Sequence, residues 1–323
     1  MQDNALFGQV TETVYSLHNA DLVKQIEATV GIDYTSSKLQ QLQHPLLERH
    51  DISLQVKRDD LLHPVVSGNK WRKLKYNLAN ALANGHEHII SMGGAWSNHL
   101  HALAYVGHRL NIKTTALVRG DEEHADSPTL QDLRDWGMQL HFVNRSDYRH
   151  LRSHRQHDAP PAEKLNGYWI PEGGASVLAL KGIAEINQEI DADIDNLFVA
   201  CGTGTTLAGL ITTGCHYQVT GVAVLRAEPF MQADIEQLLG ATRPNVNWCI
   251  NHDYHCGGFA RKDEALLAFI EQFEEHTGIP VEPVYTGKLF YAIFNLVETG
   301  KIKPGSRIMA LHSGGLQGKR STG

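Results

Sequence analysis

The sequence contains few cysteines and no long apolar segment. Four cysteines occur in 323 residues, and their spacing matches neither a zinc ribbon nor a CxxC redox pair, so we expect free thiols in a reducing compartment. No apolar run approaches the roughly 18 residues of a membrane-spanning helix. The N-terminus also lacks a basic start followed by an apolar stretch, which argues against a signal peptide. These absences predict a cytoplasmic protein that does not bind a membrane.

Positive charge is also scarce. The 29 Lys and Arg residues are outnumbered by 36 Asp and Glu residues, which gives a net charge of -7. No dominant basic field is therefore present to neutralise the phosphates of a nucleic acid. His150, His154 and His157 could share one helix face, but no acidic or sulfur ligand is apparent beside them. The sequence predicts neither a nucleic-acid partner nor a metal site.

What is present is a composition typical of globular proteins, 42% hydrophobic and 20% charged, in a chain long enough for two modest domains. From about residue 50, apolar runs of strand length alternate with segments of helical periodicity. Repeated βα units form mainly parallel sheets with helices on both faces. The sequence therefore predicts an α/β protein with two doubly wound, mainly parallel-sheet domains, joined by a polar stretch at 144–166.

The predicted elements follow this alternation. The predicted strands cover residues 52–56, 88–92, 114–118, 140–143, 168–170, 197–201, 219–225 and 307–311. The predicted helices cover about 70–84, 98–110, 128–136, 177–189, 205–212, 262–276 and 287–298. In doubly wound sheets, ligands bind at the carboxyl ends of strands, in the loops that lead into helices. Four such loops carry suitable chemistry.

The first loop, 67–73, places Lys70 at the start of a helix. A lysine there can form an imine with an aldehyde. Arg72, Lys73 and Lys75 lie nearby and would lower the pKa of Lys70 by like-charge repulsion. The alternative is a surface lysine at a helix start.

The loops at 91–99 and 312–315 can contact the ends of a small ligand. The glycines of the first let backbone N–H groups face an anion such as a substrate carboxylate, and a helix N-terminus follows. Its Ser97 and Asn98 suit helix capping equally well. In the second, the hydroxyl of Ser313 could bond a heterocyclic nitrogen, although a plain turn after a strand explains it as readily.

The loop at 201–206 is typical of a phosphate cradle, because hydroxyls and backbone N–H groups meet there at a helix start. Glu228 lies at the end of the next predicted strand, where a dinucleotide fold has its ribose-binding acid. A nicotinamide-dependent dehydrogenase is therefore an alternative. However, Leu207 stands where the third glycine of that motif belongs.

Together these segments resemble one family, the pyridoxal phosphate (PLP)-dependent enzymes of the tryptophan synthase β-like fold (fold type II), in the branch of D-cysteine desulfhydrase and 1-aminocyclopropane-1-carboxylate (ACC) deaminase. The matching segments are Ser67-Gly68-Asn69-Lys70, Gly93-Gly94 with Ser97-Asn98-His99, Ile170-Pro171 with Gly173-Gly174, Gly202 to Thr206, Pro283 to Lys288 and His312 to Gly315. The resemblance implies a homodimer with PLP between two domains, a large one of residues 1–72 and 168–323 and a small one of residues 73–167.

The resemblance also implies roles for single residues. Lys70 forms the Schiff base with PLP and relays protons, and Asn98 bonds the 3′ oxygen of the cofactor. Ser97 sits at the substrate carboxylate and has a catalytic role in assisting proton transfer, and Tyr285 stands over the reacting carbons. The residues implied at the phosphate are Gly202, Thr203, Gly204, Thr205 and Thr206. The residues implied at a small amino-acid substrate are Ser97, Asn98, His99, Phe259 and Tyr285.

Two positions favour the desulfhydrase side of this branch. The resemblance implies that Thr286 and Ser313 contact the cofactor at its pyridine nitrogen. ACC deaminases carry a glutamate where this chain has Thr286, and both residues of this chain are neutral. A neutral partner leaves the pyridine nitrogen a weaker electron sink, which still suffices for β-elimination. The sequence therefore predicts conversion of D-cysteine to pyruvate, sulfide and ammonia, with ACC deamination to α-ketobutyrate and ammonia as the alternative. Phe259 replaces the family's second pocket tyrosine, which leaves the substrate and its stereochemistry open.

Overall fold

The computed structural model describes residues 17–66, 68–121, 126–226, 228–241 and 246–322. Its α-helices are α1 (Leu17–Val30), α2 (Pro45–Arg49), α3 (Asn69–Ala83), α4 (Asn98–Leu110), α5 (Pro128–Asp135), α6 (Arg145–Leu151), α7 (Pro160–Leu165), α8 (Val177–Gln188), α9 (Thr205–Thr212), α10 (Glu228–Leu239), α11 (Glu264–Thr277) and α12 (Thr286–Glu298). Its strands are β1 (Leu39–Leu42), β2 (Ser53–Lys57), β3 (His88–Gly94), β4 (Lys113–Arg119), β5 (Gln139–Val143), β6 (Tyr168–Ile170), β7 (Asn196–Cys201), β8 (Gln218–Ala223), β9 (Trp248–Asn251) and β10 (Arg307–Leu311).

The larger sheet has six strands in the order β1-β2-β10-β7-β8-β9. All neighbours run parallel except β1, which pairs antiparallel with β2. Alternate residues of β7 face opposite sides: Phe198 and Ala200 pack with residues of α11 and α12, whereas Leu197 and Val199 pack with residues of α8 and α9. Both faces of this sheet are therefore covered by helices.

The smaller sheet has four parallel strands in the order β5-β4-β3-β6. Ile89 of β3 packs with α3 and α4 on one face, and Ile90 and Met92 pack with α7 on the other. Two doubly wound, mainly parallel sheets confirm the predicted fold class. The predicted start of α5 is confirmed too, because the Ser127 side chain accepts a hydrogen bond from the backbone N–H of Leu130 at 3.1 Å.

Several elements were absent from the prediction. Strand β1 is half exposed at a sheet edge, β9 lies at the opposite edge, and α10 is a further helix. Helix α1 forms within residues 1–45, where the sequence shows only a weak helical signal. The polar stretch at 144–166, predicted as a connection, contains α6 and α7. Strand β6 pairs with β3 in the smaller sheet, so that sheet extends beyond residue 167, where the predicted small domain ends. The division into domains stays a prediction.

The remaining structural findings concern cysteines, metals and membranes. The four cysteines are free thiols. Within the described residues, no three His, Cys, Asp or Glu side chains group as metal ligands would. No helix in that part of the chain is long and apolar enough to cross a membrane.

Candidate active site

A cavity of about 750 Å³ lies where the carboxyl-end loops of the two sheets meet. The predicted site residues that line it are Lys70, Ser97, Asn98, His99, Gly202, Thr203, Gly204, Thr206, Phe259 and Tyr285. Three predicted residues, Thr205, Thr286 and Ser313, are buried but do not line the cavity. Ser67 and the Glu228 side chain lie outside what the structure describes. The structure thus brings most of the predicted site together.

The start of α3 is held tightly against two other loops. Gly68 has a left-handed φ of 61°, and a Cβ atom there would lie 1.9 Å from the Ser313 carbonyl oxygen, so only glycine fits. The backbone N–H of Asn69 donates to that same oxygen at 3.3 Å. The Asn69 side chain donates to Thr206 Oγ1 at 3.0 Å. These contacts fix the position of Lys70 relative to the 201–206 loop.

The environment of Lys70 makes its amine easier to deprotonate than that of an ordinary lysine. Burial lowers the pKa of Lys70 to about 8, while the carboxylate of Glu282 opposes this shift. The sequence predicts that repulsion from Arg72, Lys73 and Lys75 lowers the pKa of Lys70. In the structure, Arg72 pairs with Asp59 at 2.6 Å, and Lys75 pairs with Glu185. Burial, rather than repulsion from these two residues, is therefore the cause.

This lowered pKa predicts how fast the apoenzyme captures PLP. The neutral amine is the nucleophile, so the rate should rise with pH and level off above about 8. A lysine of ordinary pKa, about 10.4, would give a rate that still rises near pH 10. Stopped-flow measurement of the growing visible band over this range checks the prediction, and a midpoint near 10 would contradict it.

The 201–206 loop presents a helix N-terminus to the cavity. Gly204 has a left-handed φ of 74°, and a Cβ atom there would lie 2.6 Å from Ile235 Cγ1. Thr203 and Thr205 share a hydrogen bond of 2.9 Å between their hydroxyls. Because the first N–H groups of α9 have no partner within the helix, they can bind an anion.

A second lysine, Lys73, is buried and also lines the cavity, although no ligand was predicted for it from the sequence. Burial and the nearby Lys70 hold its pKa well below the ordinary value. No ion pair joins Lys73 to a carboxylate of the described chain, so a bound phosphate would supply its missing counter-charge. Its position three residues after Lys70 on one helix face is the signal that could have revealed it.

In the 91–99 loop, the His99 side chain is held by a hydrogen bond and carries no charge. Ser91 Oγ donates its proton to the carbonyl of Ile170 at 2.7 Å, so it must accept from His99 Nε2 at 2.8 Å. Burial, with Lys70 and Lys73 adding to it, lowers the pKa of His99 to about 3. The His99 ring therefore offers no positive charge to a carboxylate.

Two neighbours of that ring differ in their contacts. Ser97 caps α4 by accepting from the N–H of Leu100 at 3.2 Å. The side-chain oxygen of Asn98 accepts a hydrogen bond from Gln317 Nε2. Both residues line the cavity. Ser97 therefore has the capping role that the sequence left open, and its catalytic role stays a prediction.

Tyr285 lies close to the candidate lysine. The Lys70 Nζ atom is 5.8 Å from the centre of its ring. Burial and the Glu282 carboxylate raise the pKa of the Tyr285 phenol, which therefore keeps its proton. Phe259, 49% exposed at the mouth, packs edge-on against this ring at 6.1 Å between centroids. The cavity thus offers a phenol beside an amine.

Glu282 also lines the cavity, although it was not predicted as a site residue from the sequence. Its carboxylate accepts hydrogen bonds from the N–H groups of Val284, Tyr285 and Thr286 at 2.7–2.8 Å. The Thr286 hydroxyl donates to the same carboxylate at 3.2 Å and accepts from the N–H of Glu282 at 3.0 Å. Thr286 is therefore committed to Glu282, and its predicted contact with the cofactor stays a prediction. An acid just before a helix start is the signal for such a role.

This set of groups fits PLP. The cofactor requires an amine for its aldehyde, and Lys70 supplies one inside the cavity. Its phosphate requires an anion site, and the start of α9 with the buried Lys73 supplies it. Asn98 offers an amide to a ring oxygen. One PLP molecule would therefore account for the amine, the anion site and the amide together.

Comparisons with known proteins agree with this assignment. A putative 1-aminocyclopropane-1-carboxylate deaminase of Pyrococcus horikoshii is 30% identical over 284 residues, which cover 81% of this chain and 84% of that protein. A bifunctional D-cysteine desulfhydrase/1-aminocyclopropane-1-carboxylate deaminase of Arabidopsis thaliana is 30% identical over 293 residues, covering 82% of this chain and 73% of that protein. A D-cysteine desulfhydrase of Yersinia pestis is 26% identical over 283 residues, covering 80% and 86%.

A solved structure gives the same result. The crystal structure of an ACC deaminase homologue superposes with a TM-score of 0.75 at 27% identity, covering 91% of this chain and 95% of that chain. The family model described as "Pyridoxal-phosphate dependent enzyme" matches residues 37–314, most of the chain. This chain therefore belongs to the family of pyridoxal-phosphate-dependent enzymes.

Proposed function

We propose that this enzyme catalyses β-elimination from D-cysteine, in which one water is consumed and pyruvate, sulfide and ammonia are formed. The observation that carries the proposal is that Lys70 and Tyr285 line one cavity, with the Lys70 Nζ atom 5.8 Å from the centre of the Tyr285 ring. The residue after Tyr285 is Thr286, which is neutral. Relatives described as D-cysteine desulfhydrases support it. The Glu282 carboxylate lies next to Thr286 and accepts hydrogen bonds from the backbone N–H groups of residues 284–286.

Each residue of the cavity has a defined part in this proposal. Lys70 holds PLP, and the bound cofactor supplies an electron sink for the bond broken at the α-carbon of the substrate. The pKa of about 8 for the free Lys70 amine suits an amine that takes and returns a proton near neutral pH. The protonated phenol of Tyr285 can donate a hydrogen bond to the departing sulfur. The N-terminus of α4 faces the substrate carboxylate.

The sequence left two alternative functions open. ACC deamination is supported by relatives with that description. The resemblance implies a glutamate at this position in an ACC deaminase, whereas this chain has Thr286, so D-cysteine remains the better proposal. The family assignment replaces the nicotinamide-dependent dehydrogenase. The homodimer and the cytoplasmic location stay predictions.

The proposal predicts the products formed from three amino acids. The purified enzyme with PLP should release sulfide and pyruvate in equal amounts from D-cysteine, because both come from one elimination. L-cysteine should react far more slowly, and ACC should give no α-ketobutyrate. Sulfide is measured by colour formation, and keto acids are measured after derivatisation. α-Ketobutyrate formed from ACC faster than pyruvate from D-cysteine would contradict the proposal.

A further inference from the structure

The segment after β10 crosses the space between the two sheets and closes one wall of the cavity. Lys319 pairs with Glu274 on α11, and Arg320 pairs with Asp132 on α5 at 2.5 Å. Between β10 and these pairs, Gly318 lines the cavity, and a Cβ atom there would lie 3.2 Å from a carboxylate oxygen of Glu282. The segment is therefore held from both sides directly beside the candidate active site.

Gln317 lies in the middle of this segment and touches Asn98. Its Nε2 group donates a hydrogen bond to Asn98 Oδ1. On its other side, Gln317 lines a second cavity of about 450 Å³, which contains no predicted site residue. Gly315 lies against the opposite end of the amide: a Cβ atom there would lie 2.5 Å from Asn98 Nδ2. Both ends of the Asn98 amide are thus confined by this segment.

The direction of that hydrogen bond matters, because an asparagine amide has one end that accepts and one end that donates. The 3′ oxygen of PLP is an acceptor when it carries negative charge. Only the Nδ2 end of Asn98 can stabilise it. A donor at Oδ1 leaves Nδ2 for the cofactor, whereas an acceptor at that place would turn the amide round.

We propose that Gln317 is a positioning residue that orients the Asn98 amide, so that Nδ2 donates to the 3′ oxygen of the cofactor. Gln317 acts through Asn98 and touches neither cofactor nor substrate. The inference rests on the proposed cofactor contact of Asn98 and not on which amino acid the enzyme transforms.

The test uses the pH at which the visible band of the holoenzyme titrates, measured without substrate. A hydrogen bond to the 3′ oxygen stabilises its negative charge and so weakens its hold on the proton shared with the imine nitrogen. Gln317→Met removes the donor and should raise the spectral pKa by about 0.5–1 unit. Gln317→Glu places an acceptor beside Asn98 and should raise it at least as far. If the methionine variant does not fold, the glutamate variant carries the test.

A double-mutant cycle with Asn98→Ala separates positioning from a general structural role. If Gln317 acts through Asn98, the shift caused by Gln317→Met should disappear in the Asn98→Ala background. The dissociation constant of PLP, measured on the same four proteins, should show the same non-additivity. An unchanged spectral pKa in both Gln317 variants, or an equal shift in the Asn98→Ala background, would overturn the inference. A failure of D-cysteine turnover would leave these measurements unaffected, because no amino acid is added.

Discussion

Replacing Lys70 with methionine should abolish the visible absorption band at about 410–420 nm that PLP gives in an imine. Methionine keeps the length and the apolar stem of lysine but has no amine, so no covalent link can form. Turnover of D-cysteine should fall by about 10²–10⁴-fold from the loss of proton transfer alone. The fold should be retained, since Lys70 makes no ion pair within the described chain. Absorption spectra and circular dichroism check these expectations.

Lys73→Met is the matched control for this experiment. Both variants remove one lysine from the same helix and the same cavity. At saturating PLP, Lys73→Met should keep the visible band, because its Lys70 can still react. Loss of the band in Lys73→Met together with its persistence in Lys70→Met would reverse the two assignments.

The Lys73→Met substitution should itself weaken PLP binding by about 10–100-fold, the range expected for one charged hydrogen bond to a phosphate. In the unliganded protein, Lys73 is buried with no carboxylate partner among the described residues, and its pKa is strongly lowered. A phosphate removes this penalty by supplying the opposite charge. Titration of the apoenzyme with PLP, followed by the visible band, measures the change.

Pyridoxal without its phosphate serves as the internal reference for that titration. If Lys73 binds the phosphate, Lys73→Met should weaken PLP binding but leave the binding of pyridoxal nearly unchanged. An equal loss for both ligands would assign Lys73 a structural role instead.

The parts of the fold that the sequence predicted well are the buried ones. Strands β3 and β7 consist almost wholly of buried residues, and each precedes a loop and a helix that begins with polar or small residues. Strand β1 is a half-exposed edge strand with two glutamines, so it lacks the apolar run by which strands are recognised. The short helix α6 was missed because its polar sequence buries only Tyr148.

The candidate site shows the same division between local and tertiary information. The 201–206 loop and Lys70 could be predicted, because their role follows from a strand end and a helix start. Gln317 could not, because its contact with Asn98 joins residues far apart in the chain. Lys73 and Glu282 each carried a local signal, but the burial of both side chains follows only from the fold. Charge also depends on the fold. The repulsion of Lys70 by Arg72 is offset by Asp59 and Glu189, which lie next to Arg72 only in the folded chain.

The most direct test of the central claim is to locate the cofactor on the chain. The holoenzyme is reduced with borohydride, which converts the imine to a stable amine, and its peptides are then mapped by mass spectrometry. The account predicts that pyridoxyl phosphate is attached to Lys70 alone. Attachment to Lys73 or to another lysine, or no attachment in a protein that shows the visible band, would contradict it.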